Sequence, residues 1–103
     1  MPKNSSFQTL PEKAIGLMAA RFRALGEVSR PKLIFAAGNR EKNVSQLIAA
    51  TGSTQANVSK HLALLAVAGI LKREKDGQCV YYGMKDKLVV RLCELVRAQI
   101  AKK

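Results

Sequence analysis

The chain has 103 residues and a formal net charge of +11 at pH 7, with no tryptophan and 5% aromatic residues. This length allows one domain with a modest aliphatic core, and dimerisation is a common way for so small a chain to bury more apolar surface. The charge favours a polyanionic partner, although attraction to a membrane surface or plain solubility would also account for it.

Neither a leader nor a membrane-spanning segment is indicated by the pattern of apolar residues. Residues 1–6 have no apolar signal core, and the longest apolar run, Leu62–Leu71, is too short to span a bilayer. Two cysteines, Cys79 and Cys93, fit a reducing compartment better than a disulfide scaffold. We therefore expect a cytoplasmic protein with no membrane partner.

A single helical domain is predicted after a short polar tail. We expect residues 1–10 to be disordered and residues 11–103 to form the domain. From Pro11, which suits a first helical turn, apolar residues recur at helical spacing until Gly26. Their wide surface indicates two neighbours, and hence a dimer interface. The apolar residues of this helix are Ile15, Leu17, Met18, Ala19, Ala20, Phe22 and Leu25.

Two further helices are marked by their capping residues. Ser29 is placed to cap a second helix, with Pro31 in the first turn, where a missing N–H costs little. A charged loop is expected at residues 39–43, and Ser45 is placed to cap a short third helix. Gly52 then supplies the left-handed conformation that a tight helix exit needs.

The fourth helix, expected from about Thr54, which is placed to cap it, to Val67, has two distinct faces. Val58, Leu62 and Leu65 lie at spacings of i, i+4 and i+7 and form an apolar face. The opposite face carries small polar groups, as a helix facing base edges in the DNA major groove requires. With the preceding short helix and turn, residues 44–71 have the outline of a helix-turn-helix.

A β-hairpin follows the fourth helix. Two strand-like runs, Ile70–Lys75 and Gln78–Met84, flank Asp76-Gly77, which is a strong hairpin signal. A basic hairpin after a recognition helix is a wing, able to reach a neighbouring phosphate backbone or minor groove. Its basic residues are Lys72, Arg73 and Lys75.

A last helix is expected from Asp86, a natural cap, to about Ala101. Its apolar residues cover more than half of its circumference, which one small chain can hardly bury. We expect this helix to pair with the first helix and with its own symmetry mate, which would place two recognition helices roughly 34 Å apart. These apolar residues are Leu88, Val89, Leu92, Cys93, Leu95, Val96 and Ile100.

The expected fold is therefore mainly α with a small β-hairpin (α+β), in the order of four helices, hairpin and helix. In this order and spacing, several stretches resemble the ArsR/SmtB family of winged-helix repressors. They are residues 25–34, 54–62, 68–71 and 76–82. The resemblance covers roughly residues 12–100 and implies a homodimeric bacterial repressor that binds a palindromic operator on double-stranded DNA. It also implies release on meeting an inducer, often a metal ion.

The resemblance places DNA contacts on the fourth helix. Gln55 could bind adenine in bidentate fashion, and Lys60 could donate to guanine or phosphate. The alternative is that these residues form only the solvated face of an amphipathic helix. His61 lies off the centre of that face and could instead pack against the protein or contact phosphate. The expected DNA-binding residues are Thr54, Gln55, Ala56, Asn57, Ser59, Lys60, His61, Lys72, Arg73, Lys75 and Gln78.

Neither metal site of metal-sensing relatives is indicated. The segment 45–48 has no thiol, and after Asp86 the position of a family histidine is taken by Leu88. Zinc normally needs four N, S or O ligands, whereas this chain has one histidine and two distant cysteines. We expect no metal and no cofactor, and leave the inducer open.

Three functional hypotheses remain from the sequence. The leading one is a dimeric, sequence-specific repressor, and we expect no enzyme because no catalytic constellation is evident. The second is a basic architectural or RNA-associated module without operator specificity. The third is a thiol-responsive repressor that uses Cys79 or Cys93, although free cysteines usually serve as small apolar groups.

Overall fold

A computed structural model describes residues 10–38 and 40–102, so all but the end of the expected tail at 1–10 lies outside the described residues. The fold is mainly helical with a small antiparallel sheet of order β1-β3-β2, and the predicted fold class is confirmed. The elements are α1 Glu12–Leu25, α2 Ser29–Gly38, β1 Lys42–Asn43, α3 Val44–Thr51, α4 Gln55–Val67, β2 Leu71–Asp76, β3 Cys79–Met84 and α5 Lys87–Ala101.

Three of the predicted helix-end residues act as expected. The Thr54 hydroxyl accepts the Asn57 N–H at 3.2 Å, at the start of α4. The Asp86 carboxylate accepts the Leu88 N–H at 3.1 Å, at the start of α5. Gly52 ends α3 with a φ of 70°, which only glycine adopts without strain.

Two other predicted caps are wrong. Helix α3 is capped by Asn43, whose side chain accepts the Gln46 N–H at 2.8 Å while the Gln46 side chain accepts the Asn43 N–H at 2.9 Å. This reciprocal capping box leaves Ser45 inside the first turn. Helix α2 begins at Ser29 itself, so Ser29 is the first helical residue and not the residue before it; the Ser29 N–H donates to the Glu27 carboxylate at 2.7 Å.

The sheet differs from the predicted hairpin in two ways. The loop expected at 39–43 contains strand β1, in which Lys42 pairs with Tyr82. The hairpin turn is also one residue later than predicted, because Asp76 pairs with Cys79 and the turn residues are Gly77 and Gln78. Gly77 has a φ of 66° and no non-glycine residue that the structure describes has a positive φ, which is the pattern of a type II′ turn.

The core lies between α2, α3, α4 and the base of the hairpin. The apolar face predicted for α4 is fully buried there, and α5 contributes Val89. No described helix is long and apolar enough to cross a membrane. The largest fully buried side chains are Leu33, Ile34, Leu47, Val58, Leu62, Leu65, Ile70 and Leu71.

Candidate nucleic-acid interface

Helix α4 presents a row of exposed small and polar side chains. The burial of Val58 and Leu62 fixes the rotation of the helix, since residues three and four apart share one helical face. This rotation turns the other face outward. The exposed residues there are Gln55, Ala56, Ser59, Lys60 and Ala63, with Thr54 exposed at the cap. The surface therefore offers an amide, a hydroxyl, an ammonium group and methyl groups, all of which can read base edges.

Asn57, also expected to contact DNA, is half-buried and faces the protein. Its Nδ2 donates to the Ser53 hydroxyl at 2.8 Å and lies 3.5 Å from the Ser29 hydroxyl. The amide thus joins α4 to the preceding turn and to the start of α2. Its donor group is already engaged inside the chain, which favours a structural role for this side chain.

His61 is placed differently from the sequence-based expectation. Only 4% of the residue is exposed, so its expected position on the DNA-facing surface is wrong, and the packing alternative holds. The ring lies against the start of α2, where Arg30 Nε donates to His61 Nδ1 at 3.2 Å. Since His61 is four residues after Asn57, the two form one inward polar stripe beside the apolar face.

The three basic residues of the hairpin lie on two different faces. Side chains of residues paired across antiparallel strands share a face, and alternate residues of β2 point to opposite sides. Arg73 and Lys75 therefore share one face, and both are exposed. Lys72 lies on the other face, where its Nζ is 3.4 Å from the Glu41 carboxylate. Its partner across the strands is Gly83, where an added Cβ would lie only 2.7 Å from Glu41 Cγ.

Comparison with known proteins agrees with this geometry. The family described as bacterial regulatory protein, arsR family, matches residues 28–73, from the turn after α1 into β2. The chain carries a helix-turn-helix domain of the arsR family. The prediction of a DNA-binding regulator rather than an enzyme is thereby confirmed.

Two curated proteins to which this chain is similar are transcriptional regulators. The HTH-type transcriptional regulator KmtR of Mycobacterium tuberculosis is 28% identical over 92 residues, which cover 89% of this chain and 71% of KmtR. The cadmium resistance transcriptional regulatory protein CadC homolog of Staphylococcus aureus is 35% identical over 78 residues. That alignment covers 75% of this chain and 64% of the homolog, so the chain spans less than two thirds of the second protein.

Solved structures share the fold of this chain. The AntR antimony-specific transcriptional repressor has a TM-score of 0.80 at 25% identity, with 99% of this chain and 93% of AntR covered. The homodimeric winged helix-turn-helix DNA-binding domain of Mb0332 from Mycobacterium bovis has a TM-score of 0.77 at 24% identity. There, 91% of this chain and 89% of that domain are covered.

The two thiols of the chain lie on different elements. Cys79 is exposed at the start of β3, beside the exposed turn residue Gln78. Hydrogen bonding to Cys79, together with its charge, raises the pKa of Tyr81. Cys93 is half-buried on α5, and burial together with the nearby Glu94 carboxylate raises the pKa of its thiol. A raised pKa lowers the thiolate fraction at neutral pH, which works against sensing at Cys93.

The acidic side chain that precedes α5 is engaged by an arginine. Arg21 Nε and Nη2 each lie 3.0 Å from Asp86 Oδ2, while Asp86 Oδ1 caps the helix. Within residues 10–38 and 40–102, no group of three or more His, Cys, Asp or Glu side chains is placed to hold a metal ion. Asp86 thus joins α1 to α5.

Helices α1 and α5 expose many apolar side chains. Together with α2 they line a groove that is almost wholly apolar and includes Leu25 and Cys93. The exposed large apolar side chains of α1 and α5 are Ile15, Leu17, Met18, Phe22, Leu88, Leu95, Val96 and Ile100. Contiguous exposed apolar patches of this kind mark interaction surfaces.

Proposed function

We propose that this arsR-family chain is a transcriptional repressor that binds a palindromic operator as a homodimer and releases it on meeting an inducer. The observation that carries the proposal is the exposed outward row of α4, which includes Gln55 and Lys60. The neighbouring inward side chains Asn57 and His61 are occupied inside the chain, so the outward row alone is free to read bases. The net charge of +11 supports a polyanionic partner.

The homodimer is supported by the exposed apolar surface of α1 and α5. Phe22 of α1 is 56% exposed and Leu95 of α5 is 62% exposed, an unfavourable arrangement for a chain that remains alone in water. The Mb0332 domain, which shares this fold, is homodimeric. A two-fold axis through these helices would present two copies of α4 to successive major grooves, roughly 34 Å apart.

Two exposed residues of the hairpin extend the proposed interface. Arg73 and Lys75 share a face and are the expected contacts to phosphate or the minor groove, with Gln78 at the turn. Lys72 is paired with Glu41 on the other face and is the weakest of the three basic candidates. We therefore expect Arg73→Ala to weaken DNA binding more than Lys72→Ala.

Fluorescence anisotropy with duplexes from the chain's own promoter tests this proposal. At a fixed, stated salt concentration, binding to the operator should be at least about 10³-fold tighter than to a scrambled duplex. Gln55→Ala and Lys60→Ala should each reduce specific affinity by about tenfold. Lys102→Ala, which removes a positive charge at the end of α5, is the matched control for Lys60→Ala. Equal affinity for both duplexes would contradict the proposal and favour an architectural module.

A second candidate, thiol-responsive release, is supported by the exposure of Cys79 next to the hairpin turn. Oxidation there would change the size and charge of a side chain beside Gln78. Under this candidate, oxidant should release wild-type protein and the Cys93→Ser variant from the operator, but not Cys79→Ser. A Cys79→Ser, Cys93→Ser double variant that still releases DNA like wild type would eliminate it.

A further inference from the structure

A polar junction built around one buried histidine joins three helices of the domain, and direct DNA contact does not account for it. It consists of Glu27 in the turn after α1, Arg30 in the first turn of α2, and His61 in the middle of α4, and we refer to it as the Arg30 junction. His61 is the only histidine of the chain and is 4% exposed. A buried polar group is costly unless it is hydrogen-bonded, so this placement needs a reason.

Arg30 connects the end of α1 to the recognition helix. Its Nη1 donates to the carbonyl oxygens of Arg23 at 3.0 Å and Ala24 at 3.4 Å, in the last turn of α1. Carbonyls in the last turn lack an i+4 partner in their own helix, although the Arg23 carbonyl also accepts the Gly26 N–H at 3.1 Å. Its Nε donates to His61 Nδ1 at 3.2 Å. One rigid, planar guanidinium group therefore contacts α1 and α4 at once.

The donor character of arginine sets the direction of its hydrogen bond to the imidazole. Arginine can only donate, so His61 Nδ1 is the acceptor in this contact, and the other ring nitrogen, Nε2, faces Glu27. That nitrogen is 3.7 Å from Glu27 Oε1. The Ser29 N–H holds the pKa of Glu27 below its usual value, and the charge of Arg30 acts in the same direction. The carboxylate is thus kept charged beside the ring.

Apolar packing alone does little to fix α1 in place. Ala24 is the one residue of α1 that is buried, and the other apolar side chains of this helix are at least partly exposed. Helix α1 carries part of the dimer surface, whereas α4 carries the DNA-facing row. The angle between these two helices consequently sets where each α4 lies relative to the two-fold axis.

We propose that Arg30 and His61 are positioning residues, which fix the angle of α4 relative to α1 and thereby the half-site spacing that the dimer accepts. This inference rests on the proposed function, a homodimer on a palindromic operator. It differs from a base-reading role because neither residue needs to contact DNA. Loss of the junction should therefore affect the tolerance for spacing, while recognition of one half-site is retained.

Operators whose half-sites are separated by one base pair more or fewer provide the test. Wild type should prefer its natural spacing by about tenfold over either altered duplex. In His61→Leu and Arg30→Leu, this preference should fall below about threefold, while affinity for a single half-site changes by less than about twofold. His61→Asn, which keeps an acceptor near the position of Nδ1, should restore most of the preference. Gln55→Ala should weaken binding at every spacing equally.

Two further measurements keep the test decisive. Circular dichroism must show that each variant is folded. Arg30→Lys, which keeps the charge but loses the Nε donor, replaces any variant that is not folded. Residual dipolar couplings on free protein should show that α1 and α4 change their relative orientation in His61→Leu. An unchanged orientation, or a full spacing preference in folded Leu variants, would overturn the inference. Absence of any operator preference in wild type would refute the proposed function, and the dipolar couplings would still decide the role of the junction.

Discussion

Helices α2, α3 and α4, of which α3 and α4 form the helix-turn-helix, differ from the flanking helices α1 and α5 in how completely one chain buries their apolar residues. Leu33, Leu47 and Leu62 are at most 1% exposed. In contrast, Phe22 and Leu95 on the flanking helices are more than half exposed. The difference shows that one chain suffices to build the DNA-reading half, whereas the flanking helices are left with apolar surface that a second copy would bury.

The largest effect is expected from truncation in the helix-turn-helix core. Leu47→Ala should reduce the free energy of unfolding by about 2–5 kcal/mol, because it leaves a cavity in a fully packed region. Leu88→Ala on α5, where the leucine is 70% exposed, is the matched control. At concentrations where the chain is monomeric, its effect should stay within about 0.5 kcal/mol. Chemical denaturation measures both, and similar losses would break the distinction between the two regions.

A charge placed on the flanking helices should separate the two copies while each remains folded. Leu95→Asp should weaken dimerisation by about a hundredfold, because the carboxylate would have to be buried against the partner. Val67→Asp on α4, where the valine is 90% exposed, introduces the same change outside α1 and α5. Sedimentation equilibrium should show a monomer only for Leu95→Asp. An intact dimer in that variant would place the interface elsewhere.

A smaller effect is expected at the ion pair that joins the two flanking helices within one chain. Asp86→Ala removes both the cap of α5 and the partner of Arg21, and should cost about 1–2 kcal/mol of unfolding free energy. Asp86→Asn keeps an oxygen for the cap and should lose less than half of that. A double-mutant cycle with Arg21→Ala isolates the ion pair. A coupling energy of zero would show that Asp86 stabilises the protein only by capping α5, and not through its ion pair with Arg21.

The sequence predicted the apolar elements better than the polar ones. The face of α4 follows from Val58, Leu62 and Leu65 alone, because helical periodicity decides which side is buried. Strand β1 escaped prediction since two residues, Lys42 and Asn43, are too few to show any period. It forms because β3 offers a free edge for pairing.

The polar contacts depend on residues that are distant in the chain, apart from one local signal. Asn43 and Gln46 have the spacing of a capping box, which could have been read in preference to Ser45. No such signal exists for His61, whose partner Arg30 is 31 residues away. Only its position four residues after Asn57 hints at an inward polar stripe. The direction of a side chain at the border of an amphipathic face is thus set by tertiary contacts.

The smallest predicted effect concerns Cys93, which borders the apolar groove between the flanking helices and can report on it. Glu94 contributes to the raised pKa of this thiol, so Glu94→Gln should lower the pKa and increase alkylation by iodoacetamide about twofold at pH 8. A Cys79→Ser background isolates the signal, and mass spectrometry measures the rate. At a pH well above the thiol pKa of both proteins, the two rates should converge. If a second copy covers the groove, both alkylation rates should fall as protein concentration rises. Alkylation rates that do not depend on concentration would show that the groove stays open to solvent, and would contradict the proposed dimer surface.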